Sequence, residues 1–434
     1  MQVFSFSSAD KDKILRALER PSENLSLYRE KVQPIIKAVQ SDGDAGLREL
    51  TRRFDGADIT EIRVPSAACV NALTRMPAEW MSAVTLAREN IERFHIANML
   101  PASAPVETRP GVACKTVVRA IERVGIYVPG GTAPLFSTVL MLGIPAKLAG
   151  VSRIVLCSPP QKNGEIADPI LAAAALLKID VVCRVGGAQA IAAMAYGTEC
   201  VPKVQKIVGP GNAYVTAAKA EVSIDPAGAA IDMLAGPSEL MVIADGSADA
   251  KVIAADLLAQ AEHGPDSQVV FVTTDESLLR SVLDCMSDQL RTFPRSAIAG
   301  KALEKSVGIL VENLDQALDI VNLYAPEHLS IQTVDPGLLV ENVRNAGSIF
   351  LGGNSPEACG DYCSGPNHSL PTSGAARYTG GVSVETFRKR ITVQELSLEG
   401  LTTIGPAAAV MARAEDLEGH ARSVDIRLRS LSRL

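Results

Sequence analysis

The sequence predicts an α/β protein with two Rossmann-like modules, largely parallel sheets and small helical segments at the N- and C-termini. Two observations lead to this fold class. Short runs rich in Val and Ile alternate with Ala-rich helical stretches, first between Val124 and Glu239 and then again up to Leu351. Towards both ends of the chain, apolar residues instead recur at the three-to-four-residue spacing of amphipathic helices.

The first 125 residues are predicted to be mainly helical. Apolar residues at helical spacing mark Ser26 to Gln40, Asp44 to Phe54 and Ala78 to Phe94. The tripeptide Ser41-Asp42-Gly43 supplies turn and N-cap residues between the first two helices. We expect Pro34 to start or kink the first helix, because proline cannot donate the backbone hydrogen bond of a helix interior.

Each module is predicted from a series of strands separated by helices, an alternation that implies right-handed crossovers and a parallel sheet. The strands predicted in the first series are Val124–Val128, Arg153–Cys157, Val181–Val185, Lys206–Val208 and Ile231–Leu234. Those in the second series are Leu240–Ala244, Gln268–Thr273, Gly308–Val311, Leu329–Gln332 and Ser348–Leu351. Helices of the second series and the tail are expected at 248–263, 276–292, 314–324, Val393–Leu398 and Pro406–Arg413.

Composition and charge argue against several classes of partner. The formal net charge of −7 and the pI near 5.5 disfavour nucleic acid, which requires a basic face. No apolar run approaches the roughly 18 residues that span a bilayer. The N-terminus lacks the basic-then-apolar order of a signal peptide, so we expect a cytoplasmic protein.

Three glycine-containing loops follow predicted strands and could receive a ligand. They are Tyr127 to Thr132, Gly186 to Gln189 and Gly209 to Asn212. The last two open a helix, a geometry that suits an anionic group. None of the three matches the dinucleotide fingerprint G-x-G-x-x-G, and glycine pairs also serve ordinary tight turns. The loops alone therefore leave a nucleotide site and a structural turn equally open.

Histidine is the sharper signal, because four of the five histidines lie among polar or Gly/Pro residues with a carboxylate nearby. These four are His263, His328, His368 and His420, whereas His95 lies in an apolar helical stretch and is expected to be structural. Each of the four alone is more often a satisfied structural histidine than a ligand. Together they indicate a metal-using active site, in which nitrogen and oxygen ligands favour zinc or a similar divalent ion.

Spacing refines the candidates. Gln260 and His263 lie three residues apart near a predicted helix end, so both side chains can face one point. Glu327 and His328 are adjacent and would point to opposite faces of a regular strand, so a shared site requires an irregular loop there. Gly419 could end a helix and redirect His420. No H-E-x-x-H motif is present, which leaves a metal-dependent hydrolase or dehydrogenase open.

Nine colinear blocks of the sequence resemble one family, the histidinol dehydrogenases. The blocks are Val124–Gly131, Val185–Ile191, Gly209–Val215, Ala235–Glu239, Ala259–His263, Ala325–Leu329, Gly360–Tyr362, Gly365–His368 and Glu415–His420. This resemblance covers nearly the whole chain. It implies oxidation of L-histidinol to L-histidine in two successive hydride transfers to NAD, through a bound aldehyde and with one zinc ion per subunit.

The resemblance also implies roles for individual residues. Zinc would be held by Gln260, His263, Asp361 and His420, and catalysis would depend on Glu327 and His328. His328 would take the alcohol proton, and Glu327 would activate water against the aldehyde. Substrate contacts are implied for Ser238, Gln260, His263, His328, Asp361, His368, Glu415 and His420. NAD contacts are implied for Tyr127, Gln189 and Asn212.

The domain organisation expected on this basis has four parts. Residues 1–25 form a helical segment, and 26–126 with 238–381 form a first α/β domain for metal and substrate. Residues 127–237 form a second, NAD-binding α/β domain. Residues 382–434 form a helical tail that is swapped onto the partner in a homodimer, so that it supplies Glu415 and His420 to the neighbouring site.

Three positions depart from the family pattern. Leu234 stands where many members have proline, and Cys359 and Cys363 flank the zinc aspartate, where cysteine is not expected. Neither departure removes a catalytic group. The alternative is a related dehydrogenase acting on another primary alcohol, such as sulfopropanediol. Such an enzyme would be expected to alter the residues that recognise imidazole, whereas Glu415 and His368 are both present.

Overall fold

Three β-sheets organise the chain, two of them parallel and one antiparallel. This computed structural model describes residues 1–6, 11–20, 25–101, 103–130, 133–234 and 236–431. The strands in chain order are β1 Gln2–Ser5, β2 Val106–Arg109, β3 Val112–Ala120, β4 Arg123–Tyr127, β5 Arg153–Ser158, β6 Val181–Arg184, β7 Lys206–Val208, β8 Ala230–Ile231, β9 Glu239–Ala244, β10 Gln268–Thr273, β11 Val307–Leu310, β12 His328–Gln332, β13 Ser348–Leu351 and β14 Arg388–Leu396.

Helices connect most of these strands. In chain order they are α1 Lys11–Ala17, α2 Leu25–Asp55, α3 Ser66–Arg75, α4 Ala78–Ala97, α5 Ser137–Ala149, α6 Asp168–Leu176, α7 Gly187–Tyr196, α8 Ala213–Ile224, α9 Ala250–Ala261, α10 Glu276–Leu290, α11 Ser296–Glu304, α12 Leu314–Tyr324, α13 Pro336–Val340, α14 Glu357–Tyr362, α15 Leu398–Ala414 and α16 Glu418–Leu431. Two short 3-10 helices lie at Ala375–Arg377 and Val384–Phe387. The mixed α/β class with mostly parallel sheets is confirmed.

The chain forms two compact units, Met1–Asn98 with Ile121–Phe387 and Met99–Ala120 with Arg388–Leu434. The first unit contains the six-stranded sheet, in the order β1-β11-β10-β9-β12-β13, with every pair parallel. Every residue of β9 and β10 is buried, as expected for central strands covered by helices on both faces. The register pairs His328 with Leu240 and with Ser348. The starts of β9, β12 and β13 therefore meet at the amino edge of this sheet.

The first unit also contains the five-stranded parallel sheet, in the order β6-β5-β4-β7-β8. Strands β5 and β6 are added on one side of β4, and the chain then crosses over to add β7 and β8 on the other side. The switch point, where the strand order reverses, therefore lies between β4 and β7. Ligands bind at the carboxyl end of such a point in open α/β sheets. Three glycine-containing loops leave this carboxyl edge, after β4, β6 and β7.

The helices between residues 25 and 97 share cores with the five-stranded sheet. Val32 and Leu47 of α2 pack in one cluster with Val155 and Ile191, and Ile91 of α4 packs in another with Ile126. The sequence predicts these helices in the metal and substrate domain, residues 26–126 with 238–381. Amphipathic spacing shows which face of a helix is buried, but not which sheet it covers, so this packing was not visible in the pattern.

The break predicted inside the first long helix is present at Gly43. Helix α2 continues through Pro34, so the expected kink there is wrong, and the non-helical residue is Gly43 with φ 52°. Glycine is suited to this left-handed position for a second reason. A Cβ at residue 43 would lie 2.7 Å from a carboxylate oxygen of Glu199, which accepts a hydrogen bond from the Asp44 N–H.

The N-terminus begins with a strand, so the prediction of a purely helical 1–25 segment is wrong. Strand β1 adds to the edge of the six-stranded sheet, where Gln2 pairs with Val307, and only α1 supplies the expected helix. A four-residue edge strand with one intermediate and three exposed positions carries no alternation that sequence reading could detect.

The second unit is an antiparallel sheet, in the order β14-β3-β2, with α15 and α16. Strand β14 pairs with β3 from Arg388 opposite Ala120 to Leu396 opposite Val112. The helix predicted at Val393–Leu398 is therefore wrong, because a partner nearly 280 residues earlier satisfies this backbone. The helix predicted at Pro406–Arg413 is confirmed within α15. In the described part of the chain, no helix has the length and apolarity to cross a membrane.

Candidate active site

A cavity of about 450 Å³ opens at the amino edge of β12 and β13. His328, Asp361 and His368 line it, together with Phe350. Ligand sites are expected at the carboxyl edges of parallel sheets, whereas this cavity lies at the amino edge. The topology accounts for this placement, since α9 follows β9 and returns towards the amino edge, where its last turn carries Gln260.

The His328 imidazole is held in one orientation by the backbone. Its Nδ1 lies 3.0 Å from the Glu239 carbonyl oxygen. A carbonyl can only accept, so Nδ1 carries a proton and donates it. Nε2 is buried, has no hydrogen-bond partner among the described residues, and lies 3.6 Å from Asp361 Oδ1. When the ring is neutral, this nitrogen is the basic one.

Three carboxylates surround this imidazole. Oxygens of Glu327 and Glu357 each lie 3.6 Å from Nδ1, and Asp361 faces Nε2. Burial lowers the pKa of His328, but Glu357, Glu327 and Asp361 raise it, and the net pKa lies well above its ordinary value. The cluster therefore brings three carboxyl groups and one imidazole together in a buried site.

Glu327 lies in the loop before β12, as the shared-site argument required, and His328 is the first residue of the strand. One Glu327 oxygen accepts the Glu239 N–H at 3.0 Å. Burial raises the pKa of Glu327 to about 8, despite the opposing effect of His328. The N–H and C=O of a single residue, Glu239, thus bind both members of the predicted catalytic pair.

Glu357 belongs to the site and was missed by sequence reasoning. It begins α14, is 4% exposed, and stands four residues before Asp361, so the two carboxylates share one face of that helix. Ligand atoms of His328, Glu357 and Asp361 lie within 4.8 Å of one another. Burial raises the pKa of Glu357 to about 8. The spacing of four residues after Pro356 was the signal that could have found it.

Gln260 and His263 meet as their spacing predicted. The Gln260 amide nitrogen lies 2.9 Å from His263 Nδ1 at the end of α9. Gln260 Oε1 is buried without a partner among the described residues. Burial lowers the pKa of His263, which favours the neutral form that binds metals. An orphaned oxygen, a neutral imidazole and the Asp361 carboxylate form a donor set that fits a divalent cation.

His368 connects the cavity to the other parallel sheet. Its Nδ1 lies 2.9 Å from the Asp361 carbonyl oxygen, and its Nε2 lies 3.5 Å from the hydroxyl of Thr138 in the first turn of α5. Helix α5 follows β4, so the cavity adjoins the module that ends in the glycine-containing loops. Ser238 directly precedes β9 and is partly buried.

The two tail residues lie in the second unit. Glu415 caps the C-terminus of α15, and His420 lies in the first turn of α16, where both side chains are exposed. The turn between these helices occurs at Asp416, with φ 58°, while Gly419 is helical. The expectation that Gly419 ends a helix is therefore wrong, and the roles of Glu415 and His420 stay predictions.

The residues expected to contact NAD lie at the carboxyl edge of the five-stranded sheet. Tyr127 ends β4, Asn212 caps α8 after β7, and Gln189 lies in the first turn of α7 after β6. The Tyr127 hydroxyl accepts the Gly187 N–H at 3.0 Å, and burial raises the pKa of Tyr127 to about 12. Gly131 and Thr132 of the first loop lie outside the described residues.

Two further groups at this edge were missed by sequence reasoning. Lys219 and Asp232 form a buried ion pair that holds the Gly209 backbone, with Lys219 donating to its carbonyl at 3.0 Å and Asp232 accepting its N–H at 2.8 Å. Asp55, at the end of α2, accepts from the Gln189 amide at 3.3 Å. Lys219 and Asp232 lie 10 and 23 residues after Gly209, and Asp55 lies 134 residues before Gln189, so no helix or strand spacing indicated these contacts.

Comparisons with known proteins now identify the family. The histidinol dehydrogenase family model matches residues 18–428. A histidinol dehydrogenase of Vibrio vulnificus is 52% identical over 99% of this chain and 98% of its own length. One of Bacteroides thetaiotaomicron is 49% identical over 99% and 100%, respectively. The crystal structure of histidinol dehydrogenase from Elizabethkingia anophelis has a TM-score of 0.94 at 44% identity, covering 100% of this chain and 99% of that one.

The chain belongs to the histidinol dehydrogenase family. It is therefore an oxidoreductase, and the resemblance seen in the sequence is confirmed over nearly its full length. Among the positions that depart from the family pattern, Leu234 is 43% exposed, Cys359 is exposed and Cys363 is partly buried. Both cysteines are free thiols, and neither belongs to the His328, Glu357 and Asp361 group.

We predict that Asp55 makes the stability of this family member depend on pH. Burial raises the pKa of Asp55 from 3.8 to about 6, so the folded state binds this proton more tightly than the unfolded state. Its stabilising contribution is full below about pH 4 and is lost as the pH rises through 6. Asp55→Asn should therefore raise the melting temperature relative to the wild type progressively between pH 4 and pH 7.

Thermal melts across this pH range check the prediction. The control is Ser281→Ala, which changes an exposed, non-titratable side chain on α10, so its difference from the wild type should not change with pH. Because Asp55 is partly exposed, solvent screening reduces the effect to a few degrees. A melting-temperature difference for Asp55→Asn that is constant from pH 4 to 7 would contradict the assignment.

Proposed function

We propose that the chain oxidises L-histidinol to L-histidine in two successive NAD-dependent steps, with bound histidinaldehyde between them and one zinc ion per subunit. Family membership over the full chain supports the substrate. The main support for the proposed proton transfer is the buried Nε2 of His328, which has no hydrogen-bond partner among the described residues. This atom faces Asp361, and His328 lines the cavity.

The zinc site is proposed at the end of α9 and the end of α14. Gln260, His263 and Asp361 of one subunit would hold the ion, and His420 of a second copy of the chain would complete the set. The buried, unpartnered Gln260 Oε1 and the lowered pKa of His263 support this assignment. When bound, zinc would orient the imidazole and amine nitrogens of histidinol and offset the negative charge that Asp361 places beside His328.

His328 is proposed as the general base of the first oxidation. In the neutral ring the Glu239 carbonyl keeps the proton on Nδ1, so Nε2 would accept the proton of the substrate hydroxyl as the hydride leaves its carbon. When bound, NAD would supply the hydride acceptor for each step. His328 returns its proton to solvent between the steps and acts again on the hydrated aldehyde.

Glu327 is proposed to activate the water that attacks the aldehyde. A carboxylate with a pKa near 8 is a stronger base than an ordinary one, and an oxygen of Glu327 lies 3.6 Å from His328 Nδ1. The Glu239 N–H holds one of its oxygens, which leaves the other for water.

NAD is proposed to bind at the carboxyl edge of the five-stranded sheet, through Tyr127, Gln189 and Asn212. The position of the switch point between β4 and β7 supports this site. The contact of His368 with Thr138 in α5 supports the transfer of hydride between the two regions, because α5 follows directly from the β4 loop. His368 and Ser238 are proposed to hold the substrate.

We predict that His328→Asn lowers kcat by roughly 10²- to 10⁴-fold, because it removes the proton acceptor. The variant should retain one zinc per subunit, since His328 is not a proposed ligand. His95→Asn is the matched control, because His95 is equally buried but lies in α4. Its kcat should stay within about threefold of the wild type.

Assays of NADH formation with histidinol and with sulfopropanediol, together with metal analysis, check this. Turnover of sulfopropanediol but not histidinol by the wild type would replace the proposed substrate. Full activity in His328→Asn would remove the proposed base. Loss of zinc from His328→Asn would instead make this histidine a ligand, as its place in the His328, Glu357 and Asp361 group allows.

We further propose a homodimer in which the second unit supplies Glu415 and His420 to the site of the partner subunit. The exposure of both side chains supports this role. We predict that His420→Ala and His328→Asn subunits, each nearly inactive, recover activity when mixed, since each heterodimer would contain one intact site. Activity after subunit exchange measures this, with each variant incubated alone as the control. No recovery in a mixture shown to contain heterodimers would contradict the exchange.

A further inference from the structure

We propose that Arg20 is a positioning residue for the catalytic pair, acting through Glu239. Arg20 lies just after α1 and contacts neither Glu327 nor His328 in the described structure. Its guanidinium instead joins the two segments that place them, the start of β9 and the turn before β12. This inference rests on the proposed function only for its kinetic readout.

The first contact is a two-point ion pair with the Glu239 side chain. Nε of Arg20 donates to one carboxylate oxygen, and Nη2 donates to the other at 2.8 Å. The Glu239 side chain is 3% exposed and also accepts the Ser373 N–H at 2.8 Å. The guanidinium lies over the Tyr324 ring, 3.9 Å from its centroid. These contacts fix Glu239 more firmly than a surface ion pair could.

The second contact fixes the turn that leads into the catalytic pair. Nη2 of Arg20 also donates to the carbonyls of Tyr324 at 2.7 Å and Ala325 at 3.2 Å. Ala325 has φ 55°, a left-handed conformation that residues other than glycine rarely adopt. Glu327 follows only two residues later. The hydrogen bonds to Arg20 therefore hold a strained turn whose direction sets where Glu327 and His328 point.

The two contacts converge on the backbone of Glu239. Its N–H binds Glu327 at 3.0 Å, and its C=O binds His328 Nδ1 at 3.0 Å. A shift of residue 239 would move both catalytic groups together, and a misplacement of about 1 Å can lower a rate roughly 100-fold. The planar guanidinium supplies both the carboxylate contacts and the carbonyl contacts, which a lysine ammonium cannot reproduce in one geometry.

The kinetic test compares Arg20→Ala and Arg20→Lys with Arg75→Ala. Arg75 also makes a two-point pair, with Asp168, but lies on α3 beside the five-stranded sheet. We expect kcat to fall roughly 10- to 100-fold in both Arg20 variants, with KM for histidinol and Kd for NAD within about threefold. Arg75→Ala should match the wild type. Millimolar guanidinium should restore part of the kcat of Arg20→Ala and none in His328→Asn.

A second readout needs no substrate. In protein labelled with ¹⁵N-histidine, the Nδ1–H of His328 should exchange slowly with water because it is buried and bonded to Glu239, and its signal is assigned by its loss in His328→Asn. Exchange should be at least about tenfold faster in Arg20→Lys and unchanged in Arg75→Ala. If the wild type fails to oxidise histidinol, the proposed substrate is wrong, while this exchange measurement still decides the role of Arg20.

Several results would overturn the proposal. Wild-type kcat and wild-type exchange in Arg20→Lys would show that the two-point geometry is dispensable. A drop in kcat without guanidinium rescue, accompanied by a lower melting temperature and slow Nδ1–H exchange, would show a general structural role. If Arg20→Ala does not fold, Arg20→Lys with Arg75→Lys as its control carries the decision on the same two readouts.

Discussion

The backbone of Glu239 is the point on which the rest of this active site depends. Burying Glu327 and His328 is costly unless their polar atoms are bonded, and one residue satisfies both, through its N–H and its C=O. The N–H and the C=O belong to one residue of β9. The pairing of β9 with β12 therefore sets the distance between the Glu327 carboxyl group and the His328 imidazole. The parallel pairing of two central strands therefore positions both members of the proposed catalytic pair.

A second constraint is that the charged cluster and the proposed NAD residues lie at opposite kinds of sheet edge. The charged cluster lies at the amino edge of the six-stranded sheet, where β12 and β13 begin, whereas the proposed NAD residues follow strands of the five-stranded sheet at its carboxyl edge. The stretch from Asp361 to His368 leaves the first region and contacts α5 of the second. Such an arrangement would let one cavity present substrate to a cofactor held on a different sheet.

Sequence reasoning succeeded where the signal was local. The run of apolar residues after Gln268 predicted β10, and the spacing of three residues predicted the contact between Gln260 and His263. It failed where the partner was distant, because β14 pairs with β3 across nearly 280 residues and Arg20 meets Glu239 across 219. Glu357 lies between these two cases. Its spacing of four residues from Asp361 is visible in the sequence, but many other carboxylate pairs have the same spacing. The second unit's Glu415 and His420 stay predictions of family resemblance.

The proposed reaction is a four-electron oxidation in one active site, with the aldehyde bound between the two steps. The most direct test is the amount of NADH formed per histidinol in a reaction run to completion, with identification of the product. We predict two NADH and one histidine for each histidinol consumed, and no aldehyde captured by a carbonyl reagent in solution. One NADH per histidinol with free aldehyde as the product would contradict it.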